Sequence, residues 1–194
     1  SFLFKNTNIT KINPSINNNE WKPIDKTFAK KKLDIPSDKK VLLFLSTNGI
    51  NDKRKGYEFV DFVLNKSSSK LKDFIVLIVD KDSLLEKKSN QKKFKEKLNF
   101  GDIEKLRLIY SSSDILLAPS RLEAFGQVAI EAASCGKPCI GFNNTGLEDA
   151  IHHKVTGYLA EYLDRDDFNN GLNWAVEQIL KNDKHFYNAC IKFV

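Results

Sequence analysis

The sequence predicts an α/β fold with a parallel sheet wound by helices on both faces, and two observations lead there. Four short runs, VLLFLST (41–47), FIVLIVD (74–80), DILLAPS (114–120) and PCIGF (138–142), are near-continuously apolar rather than alternating, as strands covered on both sides are. Segments with helical apolar periodicity separate them, YEFVDFVLNK (57–66) and FGQVAIEAAS (125–134) among them. Strands alternating with helices in this way close into a doubly wound parallel sheet.

Taken in order, residues 1–40 are rich in Asn, Lys and Pro and read as an irregular lead-in with one short helix near 26–33. The domain proper is expected over 41–194. Its first strand, 41–47, runs into the loop NGINDKRKG (48–56) and the helix 57–66, and the second strand follows at 74–80. The run EKKSNQKKFKEKL (86–98) sets Phe94 and Leu98 four apart among lysines, which reads as a solvated helix. The strand 114–120 ends in a turn at Glu123, and a helix opens at Ala124-Phe125-Gly126-Gln127 with Val128, Ala129, Ala132 and Ala133 facing inward. After 138–142 comes the turn Asn143-Asn144-Thr145-Gly146, in which Glu148 reads as a cap of the next helical turn. A short strand, GYLA, and a helix from Asp166 to Leu180 complete the pattern.

Composition narrows the function classes. The chain has 194 residues, 41% hydrophobic and 29% charged, enough for one ordinary core. No run approaches the roughly 20 apolar residues of a membrane-spanning helix, and the opening SFLFKNTNIT lacks the order of a secretory signal. Three cysteines without a Cys-x-x-Cys argue against a disulfide framework or zinc site and for a reducing compartment, the cytoplasm. The net charge of +6 invites a nucleic-acid reading, but the lysines are dispersed and lack the interleaved aromatics of a stacking groove, so no nucleic-acid partner is expected. His152-His153 has neither helical i, i+4 spacing nor further ligands, and no metal is expected. Trp21 and Trp174 read as packing residues. The absence of Met suggests a piece of a longer chain.

In open parallel sheets ligands sit beyond the carboxyl ends of the strands, and phosphates prefer helix N-termini. Loop 48–56 carries Asn48, Gly49 and the triplet Lys53-Arg54-Lys55 directly before a helix, where basic charge opposes the helix dipole unless an anion binds. In the second loop, Ser120 ends a strand, Gly126 allows close backbone approach, and Glu123 and Glu131 stand eight positions apart. A helical rise across that interval would separate the two carboxylates by about 12 Å. Two carboxylates bracketing a phosphate-binding helix start match a nucleotide sugar, whose hydroxyl-rich hexose and ribose flank a diphosphate.

The stretch PSRLEAFGQVAIEAASCGKPCIGFNNTGLEDAIHHKVTGYLA (119–160) resembles the C-terminal, donor-binding domain of retaining glycosyltransferases of family 4, the glycosyl transferases group 1, with a GT-B fold. It carries that family's Pro-Ser, Glu, Phe-Gly, second Glu, Gly-x-Pro, Gly-x-x-Glu and Thr-Gly-Tyr-Leu in order. Upstream, ITKINPSINNNEWKPIDK (9–26), IPSDKKVLLF (35–44), RKGYEFV (54–60) and LRLIYSSSDILLAPS (106–120) resemble the family too, so the likeness spans 9–194. It implies a Rossmann-like half of a GT-B enzyme. Glu123 would contact donor sugar hydroxyls and stabilise the reacting centre; the backbone at Phe125, Gly126 and Gln127 would approach sugar and phosphate oxygens. Arg54 and Lys55 would neutralise the diphosphate, and Glu131 would bind ribose. The donor would be a UDP- or GDP-linked hexose, with no metal or other cofactor, transferred with retention.

The sequence departs from the family pattern at Ala124, Gln127 and Ala133, where Gly, an apolar residue and Met are usual, and at Asn143-Asn144-Thr145-Gly146, which replaces Asp-x-Gly-Gly. The first, acceptor-binding domain of a complete family member is missing, so the chain alone is expected to bind donor weakly and transfer little. By family resemblance the acceptor would be a surface glycan or a lipid-linked sugar, with peripheral contact at the inner face of the membrane. The residues also leave open a non-catalytic nucleotide-sugar or phosphate-binding module.

Overall fold

A computed structural model describes residues 15–80, 93–97, 101–181 and 184–194 of the chain. Its strands are β1 (Lys40–Ser46), β2 (Phe74–Asp80), β3 (Lys93–Lys97), β4 (Ile115–Ala118), β5 (Cys139–Phe142) and β6 (Gly157–Ala160). They form one sheet in the order β3-β2-β1-β4-β5-β6, and every pairing is parallel. The helices are α1 (Lys26–Lys32), α2 (Tyr57–Lys66), α3 (Ile103–Ser112), α4 (Gln127–Ser134), α5 (Arg165–Leu180) and α6 (Lys184–Phe193). The order reverses between β1 and β4, which is the topological switch point of a doubly wound sheet.

The apolar runs predict this because strand side chains alternate between faces. Val41, Leu43 and Leu45 of β1 join Leu106, Ile109 and Tyr110 of α3 and Ala129, Ile130 and Ala132 of α4 on one side. Leu42 and Phe44 join Tyr57, Phe59, Val60 and Val63 of α2 and Phe168, Leu172 and Ala175 of α5 on the other. Two cores share one sheet, so a strand between them must be apolar at every position. The second core is anchored by Phe142, whose ring lies 4.9 Å from Phe59 and 5.3 Å from Phe168, within the range of favourable aromatic pairing.

Part of the lead-in belongs to this body. Trp21 and Ile35 lie in the first core, and α1 occupies the short helix expected near 26–33. Asp114, ahead of β4, ties these parts together: Oδ2 accepts the Val41 amide at 2.8 Å, and Oδ1 pairs with Lys26. Trp174 packs between the rings of Tyr158 and Phe186, and both tryptophans are packing residues, as expected.

Two expectations change. The lysine-rich run read as a helix over 86–98 contains the edge strand β3 at 93–97, in register with Val76 to Asp80 of β2; residues 86–92 and 98 lie outside those described. Phe94 and Leu98 four apart suit either periodicity in so short a run, and the exposed edge of β2 decides it by offering a ladder of backbone partners. Lysines on an edge strand also discourage pairing with another chain. Helix α3, which the sequence did not announce, is capped by the Asp102 carboxylate accepting from the Lys105 amide. The spacing of its buried residues Leu106, Ile109 and Tyr110 was the available signal.

Candidate functional site

Three loops leave the carboxyl ends of β1, β4 and β5, and they are the three the sequence singled out. They pack on one another. The Arg121 amide donates to the Arg54 carbonyl at 2.7 Å, and the Gly146 amide to the Glu123 carbonyl at 2.8 Å. Gly56, at φ 67°, lies so close to the 119–126 loop that a Cβ there would stand 2.1 Å from the Pro119 carbonyl oxygen. Only glycine meets both conditions, the left-handed backbone and the missing side chain.

At this junction Lys55 Nζ sits 3.2 Å from Glu123 Oε2, and the two side chains are 24% and 17% exposed. A pair this sheltered feels a lower effective dielectric than a surface pair. Arg54 turns the other way. Its Nε and one terminal nitrogen bind the Asp52 carboxylate at 3.0 and 2.8 Å, and Asp52 also caps the 3-10 turn Lys53–Lys55 through the Arg54 amide. The guanidinium holds the Asp52 carboxyl down to about 2. Asn48 reaches the same carboxylate at 3.3 Å, and Gly49 turns at φ 76° with its carbonyl accepting from the Ser46 hydroxyl. The basic triplet is thus divided, with Lys55 directed to Glu123 and Arg54 held within its own loop.

Helices α2 and α4, which follow β1 and β4, both start from a left-handed glycine, Gly56 and Gly126, with no side-chain cap. Helices α1, α3 and α5 are capped by Asp25, Asp102 and Asp164. The amino ends at the switch point therefore lack the internal carboxylate found elsewhere in the fold, and N–H groups without an internal acceptor suit an anion. Because α4 begins only at Gln127, Glu123 belongs to the irregular loop ahead of it. The 12 Å helical spacing between the glutamates therefore does not apply: the rise per residue holds only from Gln127 onward.

Glu131 lies on the second turn of α4, partly buried. Its Oε2 accepts the Tyr110 hydroxyl at 2.8 Å, and the Gln127 side chain binds it too. Burial raises its pKa above the usual carboxylate value, and those two hydrogen bonds offset only part of the rise. Ser120 is 2% exposed at the root of the β4 loop, and Phe125 packs against the first core. Glu148 lies inside the 3-10 turn Gly146–Asp149 and does not cap it; Thr145 does. The Glu148 carboxylate instead accepts the Asn144 amide at 2.9 Å, closing the loop at a residue with φ 55°.

The arrangement brings Lys55, Glu123 and the start of α4 to one edge of the sheet, with Glu131 on α4 itself. Three residues escaped sequence reasoning: Asp52 and Tyr110, and Arg121, which binds Glu58 at 2.5 and 3.1 Å. Their importance lies in partners remote in sequence, apart from Asp52, whose spacing to Arg54 was legible. His153 Nδ1 accepts the Leu159 amide, and His152 stacks on Phe193; among the described residues no group of three or more His, Cys, Asp or Glu is placed to hold a metal. No helix among them is long and apolar enough to cross a membrane. A cavity of about 650 Å³ lies at the opposite, amino end of the sheet between Lys26, Asp114, Lys137 and Tyr187. It takes no part in this site.

Comparison with known proteins identifies the family and the fold. A D-inositol 3-phosphate glycosyltransferase of Thermobispora bispora is 27% identical over 171 residues, covering 79% of this chain and 39% of the relative; the chain thus spans about two fifths of such relatives. The C-terminal domain of a glycosyl transferase group 1 family protein from Francisella tularensis superposes with a TM-score of 0.68 at 15% identity, covering 93% of this chain and 96% of that one. An Anabaena protein solved in complex with UDP-glucose superposes with a TM-score of 0.68 at 18% identity, over 92% of this chain and 50% of that one. The profile described as Glycosyl transferases group 1 matches residues 25–192, and with that span the chain belongs to this family, with the Rossmann-like fold of the C-terminal half of a GT-B glycosyltransferase.

Proposed function

We propose that the crevice at the β1/β4 switch point binds a nucleoside diphosphate sugar, as the donor site of a retaining, family 4 hexosyltransferase. The observation that carries this reading is the meeting of the sheltered Lys55–Glu123 pair with the uncapped start of α4, and with Glu131 one turn further on. The diphosphate lies at the N–H groups around Phe125, Gly126 and Gln127, where Lys55 supplies positive charge; Arg54, beside Asn48 and Gly49 at the rim, adds to it only on leaving Asp52. Glu123 accepts from the sugar hydroxyls, Glu131 accepts from the ribose, and Ser120 lies at the base of the loop.

The chemistry asked of these groups is electrostatic. As the bond from the anomeric carbon to the phosphate oxygen breaks, the departing nucleoside diphosphate gains charge, which Lys55 and the amide groups offset. Residues 41–194, with Trp21, α1 and Ile35 packed against them, form the donor-binding domain. An acceptor that is a surface glycan or lipid-linked sugar, reached at the cytoplasmic face of a membrane, rests on family resemblance alone.

Calorimetric titration with UDP, GDP and their sugars, without added metal, tests the reading. Binding of one nucleotide that Glu131→Ala weakens tenfold or more supports it and identifies the base. A folded chain that binds none of them, or a Glu131→Ala variant that binds as well as wild type, refutes it.

A further inference from the structure

We propose that Tyr110 is a positioning residue for the nucleotide: its phenol fixes the Glu131 carboxylate in the orientation that receives the ribose. The inference rests on the ribose-binding reading of Glu131 and adds a residue to it. A glutamate on a helix face ordinarily exchanges among several rotamers and loses that freedom on binding. Here the carboxylate is already held. The Tyr110 hydroxyl, on α3, donates to Oε2 at 2.8 Å, and Gln127, one turn earlier on α4, adds a second bond.

Tyr110 has no freedom of its own. It is fully buried in the first core, and the ring of Trp21 meets its own edge-on with centroids 6.0 Å apart. A phenylalanine would fill the same volume, so the one thing the hydroxyl adds is the bond to Glu131. A carboxylate offers about four lone-pair sites; the phenol and the amide occupy two from the protein side and leave the others for a vicinal diol. The phenol, as a donor, also favours the ionised acceptor that a diol requires.

The surroundings make the contribution of this bond measurable. The other ionisable groups close to the pair are Cys135, at the carboxyl end of α4, and Cys139 of β5. Burial pushes the Cys135 thiol up to about 11 and the Cys139 thiol well above its usual value; Lys137 and Arg107 act on Cys135 from further off. Below pH 8, Glu131 is thus the member of the cluster that changes charge.

The test follows Tyr110→Phe in the same chain by two readouts. Carbon-13 NMR titration of the Glu131 carboxyl is expected to give a higher midpoint in the variant, because a bond that favours the charged form has been removed. Titration with the nucleotide that wild type binds is expected to show roughly tenfold weaker affinity at pH 7, with the low-pH loss of affinity beginning at a higher pH. An unchanged Glu131 midpoint, or wild-type affinity with a wild-type pH profile, overturns the proposal while leaving the ribose-binding reading intact. Equal nucleotide affinity of wild type and Glu131→Ala removes both.

Discussion

Lys137 joins α4 to β5 and is 7% exposed, with its ammonium 5.9 Å above the Tyr187 ring. Burial lowers its pKa from 10.5 to about 8, with Lys26 pressing the same way and Asp114 opposing. The folded state therefore binds the proton less tightly than the unfolded chain. Stability rises as pH increases from about 8 toward 10.5, and the cost of charging Lys137 is present in full below that window. The difference between the two values amounts to about 3 kcal/mol.

Lys137→Met keeps the apolar stem and removes the charge, so the variant is expected to be more stable by up to about 3 kcal/mol at pH 7. In a chain of this size that raises the thermal midpoint by roughly 6–12 °C. Urea unfolding of both proteins at pH 7, 8.5 and 10 is the assay. The advantage should shrink across the series as the wild-type lysine loses its proton in the folded state. A variant less stable at pH 7, or a difference that does not change with pH, would show that the ammonium is hydrated or paired and refute the reasoning.

The remaining expectations concern the loops and the thiols. Gly56→Ala imposes a left-handed alanine and drives its Cβ against the Pro119 carbonyl; a loss of about 2 kcal/mol or more by urea unfolding is expected. At least tenfold weaker nucleotide affinity should accompany it as the Lys55–Glu123 pair separates, and unchanged stability with unchanged affinity would contradict the close packing of the two loops. Cys135, Cys139 and Cys190 are buried and free, and burial pushes the Cys190 thiol to about 12 and the Cys135 thiol to about 11. Native protein at pH 8 should leave all three unlabelled by an aromatic disulfide reagent over minutes and label them all in denaturant. Fast labelling of the native state would place at least one thiol at the surface.

Glu123 and Glu131 illustrate how far the sequence reached. Their apolar surroundings, the glycine ahead of Gln127 and the eight-residue interval identified the loop and the helix. Nothing in that string showed that Glu123 pairs with Lys55, 68 positions earlier, or that Tyr110 holds Glu131 from another helix. The lysine run at 93–97 failed for a related reason, since a sheet edge decides whether a short charged stretch becomes a strand.

By itself the sequence determined the strand runs, the doubly wound class and the three loops, because a strand buried on both faces must be apolar throughout and a turn must carry its own turn residues. Which carboxylate faces which cation was decided only by the tertiary structure. Residues such as Lys55 and Glu123, or Tyr110 and Glu131, carry the same charge or hydroxyl wherever they fall. Their partners are chosen by the order in which the strands assemble and by the distance at which glycines such as Gly56 let two loops meet.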